Sequence, residues 1–178
     1  MKKFILILLL CVTCVTAFSQ KIVVDKYNED GSRVIVIKER LFGVFRHVGI
    51  FLGFSDNITA GGLDTYAFRF LLDSHYKRTL SKGCRLLFKF EDNSIIELEN
   101  KEYVTSDSRK GTWIVYEIKE DDIKKIINGK VVKLRMENDV DYDDLKIRGK
   151  RFSELIKGFY DSIQEAKKKN KNDLYKDF

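Results

Sequence analysis

Three cysteines and two histidines are the chain's whole supply of thiols and imidazoles. Cys11 and Cys14 fall inside an apolar N-terminal run, which leaves Cys84 alone. His47 and His75 belong to no His-x-x-x-His or Cys-x-x-Cys spacing, so the ligand set of a zinc site is missing. A thiol enzyme built on Cys84 needs a base and a positive field beside it. His75 is near in sequence and Arg85 is adjacent. Yet Cys84 alternates in phase with Leu86, Phe88 and Phe90, which assigns it to a core face, where free cysteine is common. The acidic run Asp139-Val140-Asp141-Tyr142-Asp143-Asp144 superficially has the look of a calcium loop. Its sixth position is Asp144 where a sharp turn wants glycine, and its twelfth is Lys150 where a bidentate glutamate belongs. It reads instead as a solvated turn before the last helix.

Other catalytic signatures are missing. There is no Gly-x-Ser-x-Gly elbow, no Walker-type loop and no Gly-x-Gly-x-x-Gly. No carboxylate pair is singled out by its spacing. No catalytic residue, metal or cofactor is assigned on these grounds.

The elements that must position any site are mostly strands. Ile22–Tyr27 and Arg33–Glu39 flank Asn28-Glu29-Asp30-Gly31 and predict a hairpin. Tyr66–Leu72 alternates, with Arg69 pointing away from Phe68 and Phe70. Cys84–Phe90 alternates likewise and turns at Glu91–Ser94 into Ile95–Glu99. Trp113–Lys119 and Val131–Glu137 continue the period of two. Asp121–Asn128 reads as a short helix, with acids at its start and Gly129 at the place of a left-handed cap. Arg151–Lys168 carries Phe152, Leu155, Ile156, Phe159, Ile163 and Ala166 at helical spacing, one apolar stripe that must pack on a sheet. The expected fold is α+β: an antiparallel sheet or curved sandwich, a short connecting helix, and an amphipathic C-terminal helix packed on the sheet. Residues 20–168 read as one domain, with no proline or glycine–serine linker to divide them, and 169–178 as a polar, lysine-rich tail.

The N-terminus redefines the charge. Met1-Lys2-Lys3, the apolar run Phe4–Phe18, and Ala17 and Ser19 before Gln20 have the layout of a signal peptide, residues 1–19. Cleavage removes Lys2 and Lys3, and half of the remaining positive excess lies in the tail from Glu165 onward. So diffuse a charge does not point to nucleic acid. Arg69, Arg85, Lys89, Lys133 and Arg135 occupy outward strand positions and make a basic stripe if their strands are neighbours. An exported protein would turn such a stripe toward an envelope protein, glycan or lipid. The expected place is the periplasm or the cell surface. With Cys84 as the sole remaining cysteine, no internal disulfide is available to the exported domain.

Leu41–Phe54, LFGVFRHVGIFLGF, is too apolar for an exposed loop. It reads as a buried strand or strand pair whose glycines allow bulges or close approach. Its functional reading is a pocket wall or partner surface carrying Phe45, Ile50, Phe51 and Phe54. Asn57–Gly62 after it reads as a loop.

Three stretches carry a resemblance: the hairpin Lys82–Leu98, the strand–helix–strand unit Tyr116–Arg135, and the amphipathic C-terminal helix. Together they resemble small secreted proteins of Bacteroidetes-type bacteria, a family of unknown function. The resemblance implies export and this fold, and no activity. The functional expectation is a non-enzymatic exported or envelope-associated binding module. The alternatives are a carrier of a lipid or apolar ligand lined by residues 41–54, and a thiol-dependent enzyme using Cys84.

Overall fold

The computed structural model describes residues 21–45, 48–58, 65–72, 78–105 and 112–169. The expected signal peptide, His47, His75 and residues 170–178 of the tail lie outside the described residues. In chain order the elements are β1 (Ile22–Tyr27), β2 (Arg33–Phe45), β3 (Val48–Ile58), β4 (Thr65–Leu72), β5 (Thr79–Leu80), β6 (Arg85–Phe90), β7 (Ile95–Glu99), β8 (Val104–Thr105), β9 (Thr112–Ile118), α1 (Glu120–Asn128), β10 (Val131–Glu137), β11 (Tyr142–Lys146) and α2 (Gly149–Lys167). The fold is α+β, with the C-terminal helix packed on the sheets.

One sheet has the order β1-β2-β3-β4-β9, the other β11-β10-β6-β7, and β5 pairs with β8. Neighbouring strands are antiparallel throughout. The first hairpin turns where the Asp-Gly signal places it: Gly31 has φ 81°, which a side chain would strain. The second turns at Asn93, with φ 65°, while Asp92 accepts hydrogen bonds from the Ser94 amide and hydroxyl.

The inner faces of the sheets meet. Ile35 and Ile37 of β2, Phe68 and Phe70 of β4, and Ile114 and Tyr116 of β9 face Leu86 and Phe88 of β6 and Leu134 and Met136 of β10; all are fully buried. Phe68 and Phe88 touch across the layers, with ring centroids 5.6 Å apart. The apolar stripe of α2 closes this core. Phe152 packs on Phe42 of β2 at 4.8 Å and on Phe88 at 6.0 Å.

The sheets touch along both margins. At one, Asn100 bridges Tyr116 of β9. At the other, Gly43 in β2 lies against Leu145 of β11, where a Cβ would come within 2.7 Å of the leucine Cδ2. This supports the expectation that a glycine in the 41–54 segment permits close approach. β2 carries two register shifts against β3, between Ile37 and Arg40 and between Leu41 and Gly43, the irregularities by which an extra residue is fitted into a ladder. Asn57 and Ile58, read as loop, belong to β3.

The open end of α2 is tied down by charge. Arg33, buried at the start of β2, forks onto Asp25 at 2.8 and 3.0 Å and donates to the Ala166 and Lys169 carbonyls at 2.8 and 2.9 Å. The guanidinium thus adds a charged donor to the carbonyls at the helix end, the Ala166 carbonyl also accepting from the Lys169 amide at 3.0 Å. Lys167 reaches fully buried Asp56 of β3 at 2.8 Å.

Two further expectations are corrected. Gly129 is not a left-handed cap; its φ is −93° and ψ 172°. Glycine is needed there for space, since a Cβ would sit 2.7 Å from the Lys125 carbonyl and from the Phe90 ring. The acidic run is not merely a turn, because Tyr142–Lys146 is strand β11, paired with β10. Aspartate is a poor strand former, and two of them mask the alternation. Asp143 faces inward, where Asn138 donates to it at 3.3 Å, and Asp144 faces outward onto cationic partners.

Candidate functional site

The outward positions of the four-stranded sheet form one continuous charged face. β10 and β11 place Lys133 opposite Lys146, and β10 and β6 place Lys133 opposite Lys89. The row Lys146–Lys133–Lys89 therefore crosses three strands and ends at exposed Ile95 of β7. At strand spacing its neighbours are about 5 Å apart at the backbone. The next row is Asp144–Arg135–Leu87–Glu97. Beyond it Arg85 binds Glu137 at 2.7 Å and Glu97 at 3.1 Å.

Like charges directly opposite one another destabilise a sheet. Lysine on an edge strand is explained by protection against unwanted pairing. Edge protection does not explain Lys89 and Lys133, because β6 and β10 are the inner strands of this sheet. Lys133 has Asp144 as a partner. Among the described residues Lys89 and Lys146 have no ion pair.

The acids on this face are held ionised by their partners. Asp144 accepts from Arg135 Nε at 2.7 Å and Nη2 at 2.9 Å, and Lys133 also reaches it. Arg135 above all, then Lys133, holds its carboxyl below the usual aspartate range. Arg85 does the same for Glu137. Arg135 also lies over the Tyr142 ring, 3.6 Å from its centroid.

The structure thus brings together four of the five basic positions named from the sequence: Arg85, Lys89, Lys133 and Arg135. Arg69 is not with them. It lies on β4 in the other sheet, stacked over Trp113 at 4.5 Å, and burial lowers its pKa. Lys146 also belongs to the face, a position that alternation does not mark because the aspartates of β11 read as a turn. The backbones of Phe45, Ile50, Phe51 and Phe54 run in β2 and β3, with Phe54 opposite Phe68 and Phe51 opposite Leu71. Their side chains lie outside the described residues. In the same segment Phe42 packs on the core and Leu41 is 57% exposed.

Cys84 sits at the rim of the core, half-buried just before β6. Its thiol donates to Asp139 at 3.5 Å, and Asp139 also accepts from the Ser81 amide and hydroxyl at 2.7 and 3.0 Å. Burial, then the Asp139 contact, pushes the thiol pKa up. That is the reverse of the electropositive setting a nucleophilic cysteine needs. The Tyr116 hydroxyl is buried and has no hydrogen-bond partner among the described residues; burial, then Cys84 and Glu137, raises its pKa.

Among the described residues no group of three or more His, Cys, Asp or Glu side chains is placed to hold a metal ion. Among them no helix is long and apolar enough to cross a membrane. No family model, curated protein or solved structure matches this chain.

Proposed function

We propose that the chain is an exported, non-enzymatic binding module whose charged sheet face takes an anionic polysaccharide of the cell envelope. The observation that carries the reading is the lysine row Lys146–Lys133–Lys89, which sets like charges opposite one another across β11, β10 and β6, a placement that sheets disfavour. Such a compromise is expected where a surface serves binding.

The mixed character of the face favours a glycan over a bilayer. A membrane surface attracts clustered positive charge backed by apolar insertion. Here Glu97, Glu99, Glu137 and Asp144 share the face with the bases, and its exposed large apolar side chains are Ile95 and Tyr142. A polysaccharide has hydroxyls for the carboxylates and anionic groups for the lysines.

The test is equilibrium binding to fluorescent dextran sulfate, to neutral dextran, and to phosphatidylcholine vesicles with and without phosphatidylglycerol. The reading expects binding to dextran sulfate that weakens as salt rises, none to neutral dextran, and loss in the Lys89→Glu, Lys133→Glu variant. Binding to the anionic vesicles alone, or to none of these probes, overturns it.

A further inference from the structure

We propose that Asp144 is an internal competitor for the ligand's own anionic group, and that this group is a carboxylate. The inference rests on the polysaccharide reading above and names the chemistry at its centre.

Arg135 holds Asp144 with two parallel N–H···O bonds at 2.7 and 2.9 Å, the fork geometry that matches a planar carboxylate. Lys133 supplies a third donor to the same group. The chain therefore already displays, on this face, the group for which two of its cations are shaped. Lys89 and Lys146 flank Lys133 on either side, without ion pairs among the described residues. A polyanion drawn in by these two lysines arrives next to a cation pair that is already occupied.

The occupant is easily displaced. Asp144 and Arg135 have 28% and 34% of their side chains exposed, and ion pairs at such sites are weak and screened by salt. Asp144 also stands on β11, the edge strand of its sheet, which a two-residue link joins to α2. A uronate carboxylate can take its place on Arg135, leaving Asp144 to water. Strong binding then requires several carboxylates in a row, because a single one only exchanges with Asp144.

The test compares affinity for polygalacturonate, a carboxylate polymer, in wild type, Asp144→Asn and Asp161→Asn. Asp161 lies on α2, pairs with Lys157, and its loss makes the same change in net charge while likewise freeing a lysine. The proposal expects Asp144→Asn to bind roughly 3–10-fold more tightly than wild type, with Asp161→Asn within about twofold of it. The gain should vanish in Asp144→Asn combined with Arg135→Gln. Circular dichroism and thermal melts establish that each variant is folded, and Asp144→Ser stands in should Asp144→Asn not fold. If wild type binds and Asp144→Asn binds no better than Asp161→Asn, the competitor proposal is overturned while the polysaccharide reading stands. If neither wild type nor Asp144→Asn binds polygalacturonate or dextran sulfate, both fall.

Discussion

Replacing Lys89 with methionine should make the protein more stable and a weaker binder at once. Methionine keeps an unbranched chain of similar length and removes the charge. Lys89 is exposed, carries no ion pair among the described residues, and faces Lys133 directly across β6 and β10. Two bare ammonium groups splayed to about 7 Å in water repel by about 0.6 kcal/mol by Coulomb's law, an upper bound here because Asp144 pairs with Lys133. Screening at physiological salt, with the Asp144 carboxylate on Lys133, reduces it to roughly 0.3 kcal/mol or less. That range agrees with the 0.2–1 kcal/mol scale of cross-strand pairs. For a domain of this size the expected rise in melting temperature is about 1–2 °C at low salt. Lys89→Glu turns repulsion into attraction and should roughly double the gain. Thermal and urea unfolding at low salt and at about 1 M salt measure it, since the shorter Debye length at high salt should erase the difference. A gain that persists at high salt, or a loss of stability in Lys89→Met, refutes the claim that the row stores charge repulsion.

Three further outcomes follow from the interior and the charged face. Tyr116→Phe removes a buried hydroxyl with no hydrogen-bond partner among the described residues and should raise the urea-unfolding free energy by roughly 1 kcal/mol, the lower range of such penalties; a loss would mean that the hydroxyl is satisfied. Arg33→Met leaves Asp25 without its guanidinium and removes a charged donor from the Ala166 and Lys169 carbonyls, and should cost about 3–5 kcal/mol by chemical denaturation. The carboxyls of Asp144 and Glu137 are held below their unfolded values by Arg135 and Arg85. Their contribution is therefore present above the ordinary carboxylate pKa and lost as pH falls through the lower folded value. Urea midpoints should decline from about pH 5 downward, and less steeply in Glu137→Gln.

The strands with strict alternation were legible because one face is buried and the other wet. Val131–Glu137 and Ile95–Glu99 have the bounds that their pattern gives. Helix α2 begins at Gly149, ahead of its apolar stripe, a start that no proline or capping side chain marks in the sequence. The short strands β5 and β8 carry too few residues to show a period. Strand β11 was hidden by its aspartates, whose cost is offset by Asn138 on one side and by Arg135 and Lys133 on the other.

The site was half legible for a related reason. Alternation alone sets Arg69, Arg85, Lys89, Lys133 and Arg135 outward. It cannot say which strands are neighbours. β6 and β10 are separated in sequence by β7, β8, β9 and α1, and their pairing is a tertiary fact. Arg69 obeys the same alternation, yet β4 joins the other sheet, and its guanidinium stacks on Trp113 instead.

The most direct measurement is a titration of fluorescent polygalacturonate with wild type and with the Lys89→Met, Lys133→Met, Lys146→Met variant, at low and physiological salt. Saturable, salt-sensitive binding by wild type that falls at least tenfold in the folded triple variant is the predicted result. Equal affinity in the two proteins would contradict the assignment of this face as the binding site.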